Sequence, residues 1–101
     1  MFSNEVVWVT GSSTGIGRAI ALGFAREGCR VVVHYNSSED KAHEVADRVG
    51  ELGGEALLVK GDVSDSGDVR RMTGEIEGRY GRVDVLVNNA GSLIVRRTLE
   101  E

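Results

Sequence analysis

Two hydrophobic periodicities alternate along this chain, and that alternation limits the fold more than any other feature. Short runs rich in β-branched residues, Val6-Val7-Trp8-Val9, Arg30-Val31-Val32-Val33-His34, Ala56-Leu57-Leu58-Val59 and Val83-Asp84-Val85-Leu86-Val87, are separated by longer stretches whose apolar residues recur at helical spacing. The runs are apolar nearly throughout, which suits strands buried on both faces of a parallel sheet, with right-handed crossover helices covering both sides. The first helical stripe is read as Ile16, Ala19, Ile20, Gly23 and Phe24, ending at Gly28. The second is Ala42, Val45, Ala46, Val49 and Leu52, capped by Ser37 or Ser38 and ended by Gly53-Gly54. The third is Val69, Met72, Ile76 and Tyr80, capped by Ser64 or Asp65 and weakened by Gly74 and Gly78. The predicted order is βαβαβαβ, an α/β architecture in one unit spanning 1–101 with no second domain.

Composition narrows the class of partner. The 101 residues carry 16 acidic and 12 basic side chains, a net charge of -4, with both signs dispersed. That distribution gives no basic footprint for nucleic acid or an anionic membrane, and neither is expected as a partner. No apolar run approaches the roughly 20 residues that span a bilayer, and the opening residues Met1 to Glu5 lack the pattern of a signal peptide. Cys29 is the single cysteine, which excludes a disulfide framework and a thiolate zinc site and points to a reducing, cytoplasmic setting. It is read as a small buried apolar group, and His34 and His43 as a strand-end and an exposed helix residue, so no metal site is expected. Fourteen glycines with no proline point to tight backbone turns.

Three of those glycines carry chemistry. Thr10-Gly11-Ser12-Ser13-Thr14-Gly15-Ile16-Gly17 lies between the first strand and the first helix, where free backbone N–H groups and the positive helix end can hold a diphosphate. A side chain at Gly11 would obstruct the turn, one at Gly15 would keep the backbone from the phosphates, and one at Gly17 would push the helix off the strand. The G-x3-G-x-G spacing alone is weak, since a chain with 14 glycines in 101 residues yields roughly 0.25 chance matches. Its position between strand and helix supplies the specificity. Asn88-Asn89-Ala90-Gly91, at the end of the fourth run, is far rarer, arising by chance about once or twice in a thousand chains of this composition. Asp62-Val63 leaves the third run at the same sheet edge, where ligands of open parallel sheets bind. Strand-end asparagines also serve simply to tie backbone together, and Asp62 has an alternative as a helix cap or turn residue.

Together, Thr10 to Gly17, Asp62-Val63 and Asn88 to Gly91 resemble the N-terminal half of the short-chain dehydrogenase/reductase family, and the likeness runs along nearly the whole chain. Val31 to Ser38 and Gly53-Gly54-Glu55-Ala56 are most similar to the branch holding 3-oxoacyl-carrier-protein reductases and glucose dehydrogenases. The resemblance implies a Rossmann-like doubly wound sheet, here truncated to four parallel strands in the order 3-2-1-4, and an NAD(P) cofactor. It implies that Gly11, Ser13, Thr14, Gly15, Ile16 and Gly17 hold the diphosphate side. Asp62 and Val63 would then contact adenine, and Asn89, Ala90 and Gly91 would line the adenine ribose. Tyr35, Asn36, Ser37 and Ser38 stand where an NAD site would carry an acid on the ribose. No acid is present there, and the two serines can donate to a 2′-phosphate, so NADP is expected, with NAD as the alternative.

The chain departs from the family where catalysis resides. The family's catalytic Asn, Ser, Tyr and Lys follow the Asn-Asn-Ala-Gly turn, and only ten residues follow Gly91 here. No Tyr-x3-Lys pair exists, because Tyr35 is followed at that spacing by Glu39 and Tyr80 by Asp84. Without a phenol acidified by a lysine, no residue is expected to protonate a carbonyl as hydride arrives, and no catalytic residue is assigned. The expectation is the cofactor-binding portion of a short-chain oxidoreductase, inactive alone and acting on a carbonyl or alcohol only when completed by a C-terminal half. The alternative is a small nucleotide-binding or interaction module that works as an oligomer or with a partner half. A bare outer edge on the fourth strand and a poorly covered helix face at Met72 and Ile76 would favour a dimer, an aggregate or a molten state.

Overall fold

The computed structural model describes residues 4–89 and the strand at 93–96. In chain order the elements are β1 (Val6–Val9), α1 (Gly15–Arg26), β2 (Arg30–Tyr35), α2 (Glu39–Glu51), β3 (Glu55–Lys60), α3 (Ser66–Tyr80), β4 (Val85–Asn88) and β5 (Leu93–Arg96). They build one sheet in the order β3-β2-β1-β4-β5. The first four strands pair in parallel, with Val7 opposite both Val31 and Val85, and Val32 opposite Leu57. The expected 3-2-1-4 order is therefore present.

β1 and β2 are buried on both faces, β3 and β4 partly so, and the two-residue period sorts their side chains into two cores. Val7, Val9, Val31, Val33, Val85 and Val87 pack under α1 and α2 with Ala21, Ala25, Val45 and Val49. Val6, Trp8, Val32, Val59 and Val83 face α3 and enclose Met72 and Ile76. Both of those α3 residues are fully buried, so the expectation that this helix face would be poorly covered is corrected: the Trp8 indole and four valines fill the space beneath it.

Two further expectations change. The outer edge of β4 is not bare, because β5 pairs with it antiparallel, Val85 opposite Arg96 and Asn88 opposite Leu93. The sequence reading assigned nothing after the Asn-Asn-Ala-Gly turn, although Leu93-Ile94-Val95 is a short β-forming run behind a glycine, which is a hairpin signal. The buried stripe of α1 is also rotated from the predicted one. It consists of Gly17, Ala21, Leu22 and Ala25, with Ile20 and Phe24 partly buried and Ile16 72% exposed. The cause is the contact of Gly17 with the β1 turn, which sets the helix's rotation before any larger apolar residue does.

Capping follows elementary chemistry. Asp65 caps α3 by accepting the Asp68 N–H at 3.0 Å, and Gly81 closes that helix at φ +81°, a left-handed conformation suited to glycine. Ser38 occupies the cap position of α2 without a side-chain hydrogen bond, while Glu39 and Asp40 complement the helix dipole.

Candidate dinucleotide site

The strand order reverses between β1 and β4, since β2 and β3 lie on one side of β1 and β4 lies on the other. Such a switch point opens a crevice at the carboxyl ends of the strands. Here the crevice is bounded by the β1–α1 loop and the end of β4, and Thr10 stitches the two together. Its N–H donates to the Val87 carbonyl at 3.0 Å, and its hydroxyl accepts the Asn89 N–H at 3.0 Å. The Asn89 side-chain amide donates to the Gly11 carbonyl at 3.4 Å. Asn89 thus does the backbone-tying work that sequence alone left as one of two alternatives.

The glycine loop has the steric character expected of it. Gly11 and Gly15 sit at φ +63° and +60°, where a side chain is strained. A Cβ on Gly17 would stand 2.2 Å from the Gly11 carbonyl oxygen, so the helix meets the turn backbone to backbone. Gly15 differs, because nothing lies within 4 Å of where its Cβ would be. It is exposed, and its missing side chain leaves open space at the head of the helix. Thr14 precedes α1 in an extended conformation with no side-chain cap, and the first turn contains no acid. The unsatisfied N–H groups of that turn and the helix dipole together make an anion-binding end. Thr14 and Ile16 are exposed around it, and Ser13 is buried.

Behind the loop lies a residue that the sequence reading set aside. His34 is 4% exposed, and its Nδ1 accepts the Gly11 N–H at 2.8 Å. Its Nε2 lies 2.7 Å from the Gly61 carbonyl oxygen, an acceptor, so that nitrogen carries the proton and donates. The His34 backbone N–H donates to Ser12 Oγ at 2.8 Å, and the Ser12 N–H donates to the His34 carbonyl at 3.1 Å. The ends of β1, β2 and β3 are laced together through this residue. Thr10, Ser12 and His34 were not among the expected site residues. A histidine closing an apolar β run beside a glycine turn was the available signal, since such a ring needs polar partners once buried.

At the end of β3, Asp62 and Val63 are exposed. The Asp62 carboxylate accepts both the hydroxyl and the N–H of Ser64, at 2.6 and 2.8 Å, and those bonds hold its pKa below the ordinary carboxylate value. The capping role falls to Asp65. Asn36, Ser37 and Ser38 are exposed at the end of β2, and the two serines border a depression of about 280 Å³ with Glu39, Asp40 and Lys41. Tyr35 is placed differently, since its ring packs in the core with Val33 and Ala42. Burial first, and then the Glu39 charge, push its phenol pKa up. Ala90 and Gly91 lie outside the described residues. Among the described residues no cluster of His, Cys, Asp or Glu could hold a metal ion, and no helix is long and apolar enough to cross a membrane.

Comparison with known proteins gives this geometry its family. The chain is 44% identical over 88 residues to the 3-oxoacyl-[acyl-carrier-protein] reductase FabG of Staphylococcus epidermidis, covering 87% of this chain and 36% of that protein. Among solved structures, the promiscuous reductase LugOII, which catalyses keto-reduction at C1 in lugdunomycin biosynthesis, superposes with a TM-score of 0.78 at 39% identity. The angucycline C-6 ketoreductase LanV, solved with bound NADP, superposes at 0.79 with 38% identity. Both structural matches cover 87% of this chain and 37% of the other, so the chain spans about a third of the length of the relatives it matches. The short chain dehydrogenase family model matches residues 5–101, and with the glycine loop, the switch-point crevice and the strand order in place, the chain belongs to that family.

Proposed function

We propose that this chain is the cofactor-binding portion of an NAD(P)-dependent short-chain oxidoreductase. The observation that carries the reading is the uncapped, acid-free start of α1 behind a loop in which Gly11 and Gly15 are left-handed and Gly17 touches Gly11. Backbone N–H groups there suit a diphosphate, and the open space at Gly15 suits close approach. Asp62 and Val63, exposed at the adjacent strand end, would take adenine, and Asn89 to Gly91 the neighbouring ribose. Asn36, Ser37 and Ser38 offer uncharged donors for a 2′-phosphate, with no acid among the three, which favours NADP over NAD. The bound nicotinamide would supply hydride for a carbonyl or accept it from an alcohol. This chain's own part is to bind and orient the dinucleotide, in a cytoplasmic setting, and its residues include no Tyr-x3-Lys pair to protonate the carbonyl.

Calorimetry with NADP and NAD tests the reading. Binding of NADP tighter than NAD is expected, with loss of binding in Gly15→Val, because a β-branched residue is strained at φ +60° and fills the approach. Binding that survives Gly15→Val unchanged would remove the loop assignment. Oxidation of NADPH with acetoacetyl thioesters or ketones by the 101-residue chain alone would sink the view that it lacks turnover.

A second reading, an interaction module acting as an oligomer or with a partner half, has one observation of its own. A groove of about 290 Å³ beside α3 is lined by Trp8, Val63, Val69 and Leu86, and the buried Trp8 Nε1–H has no acceptor among the described residues. The apolar part of that lining suits a packed segment of a partner.

A further inference from the structure

We infer that His34 is the positioning residue of the glycine loop, and that it does this work only as a neutral imidazole with its proton on Nε2. The inference rests on the dinucleotide reading of the loop and goes beyond it. Gly11 N–H is one of the loop's own donors, and His34 Nδ1 takes it at 2.8 Å, which turns that group inward and fixes the left-handed Gly11 on which Gly17 packs. The opposite ring nitrogen is spent on the Gly61 carbonyl at 2.7 Å, the residue immediately before Asp62. One ring therefore sets the separation between the expected diphosphate loop and the expected adenine end. Both bonds are satisfied by a single tautomer; a proton on Nδ1 would set an N–H against the Gly11 N–H, with the ring almost fully buried.

The charged residues nearest in the fold come from the end of β3 and the start of α3. The β1–α1 loop from Thr10 to Gly17 contributes none. From the end of β3 come Lys60, whose carbonyl accepts Arg71 Nη2 at 2.6 Å, and Asp62, whose carboxylate is held by Ser64. From α3 come Arg71 and Asp68, 3.8 Å apart, and Asp68 accepts the Asp62 N–H at 2.9 Å.

The test separates the two nitrogens. In His34→Asn the side-chain oxygen stands near the position of Nδ1 and can keep the Gly11 bond, whereas His34→Gln reaches toward Gly61 and leaves Gly11 unpaired. NADP affinity of the full chain, measured by calorimetry at neutral pH, should fall about tenfold or more in His34→Gln and in His34→Phe and much less in His34→Asn. Nitrogen NMR of the unliganded wild-type ring should show Nδ1 unprotonated and Nε2 protonated, and the Gly11 amide signal should shift in His34→Gln and His34→Phe and much less in His34→Asn. Equal affinities in the Asn and Gln variants, a proton on Nδ1, or a Gly11 amide that responds equally to all three substitutions would overturn the inference. The NMR arm decides the matter even if no dinucleotide binds, and absence of wild-type binding would by itself count against the cofactor reading alone.

Discussion

Asp84 shows how a single side chain extends a sheet beyond its last paired residue. Its carboxylate accepts the Val6 N–H at 2.8 Å and Arg82 Nε at 2.9 Å, while its own N–H donates to the Val6 carbonyl at 2.9 Å. The side chain is 12% exposed, so Asp84→Ala leaves a buried N–H with no acceptor. It should cost about 1 to 3 kcal/mol in urea denaturation, and Asp84→Asn, which keeps an oxygen there, should cost less. Tyr80 makes a prediction about pH. Its hydroxyl donates to Glu55 at 3.1 Å, and burial first, then the Glu55 charge, push its pKa from 10.0 up to about 12. The folded state holds this proton more tightly than the unfolded state, so the stabilisation is intact below about pH 10 and is lost as pH rises toward about 12. Denaturation midpoints measured across that window should fall in the wild type, and the fall should be smaller in Tyr80→Phe.

At the scale of an element, the same substitution should have opposite signs in two helices. Gly74 and Gly78 lie within α3, with nothing within 4 Å of where a Cβ would sit. Alanine there removes backbone freedom from the unfolded chain without a clash, so Gly74→Ala with Gly78→Ala should stabilise the fold by about 1 to 2 kcal/mol. Gly17→Ala in α1 drives a methyl into the Gly11 carbonyl, and should destabilise by about 1 to 3 kcal/mol by the same urea measurement. If both changes proved stabilising, the backbone contact between α1 and the β1 turn would not be as described.

For the whole molecule, the reasons for expecting association have changed. With β5 along β4 and Met72 and Ile76 enclosed, neither a bare strand edge nor an open helix face remains at those places. A radius of gyration of 12.0 Å is close to the ~13 Å of a compact domain of about 100 residues. On the interaction reading proposed above, association would use the groove lined by Trp8, Val63, Val69 and Leu86. Sedimentation at micromolar concentration should therefore show self-association that Val69→Lys reduces. A wild-type monomer at every concentration would leave the groove without this role.

The sequence by itself determined the first four strands and the three helices between them, because apolar period and turn chemistry are local properties carried by residues such as Val31-Val32-Val33 and Gly53-Gly54, whereas the strand order came from the family resemblance and β5 only from the structure. It determined the steric need for glycine at 11 and 17 for the same reason. Only tertiary structure decided what each polar residue at the crevice touches. Asn89 reaches Thr10 and Gly11 across 78 or more positions of sequence, and His34 meets both Gly11 and Gly61, pairings that depend on strand register. Tyr35 follows the same logic, since the two-residue alternation of β2 turns His34 toward the crevice and leaves Tyr35 in the core with Val33. The rotation of α1 was likewise invisible to periodicity, because a glycine contributes nothing to an apolar stripe and yet, pressed against the Gly11 carbonyl, sets the face that the helix buries.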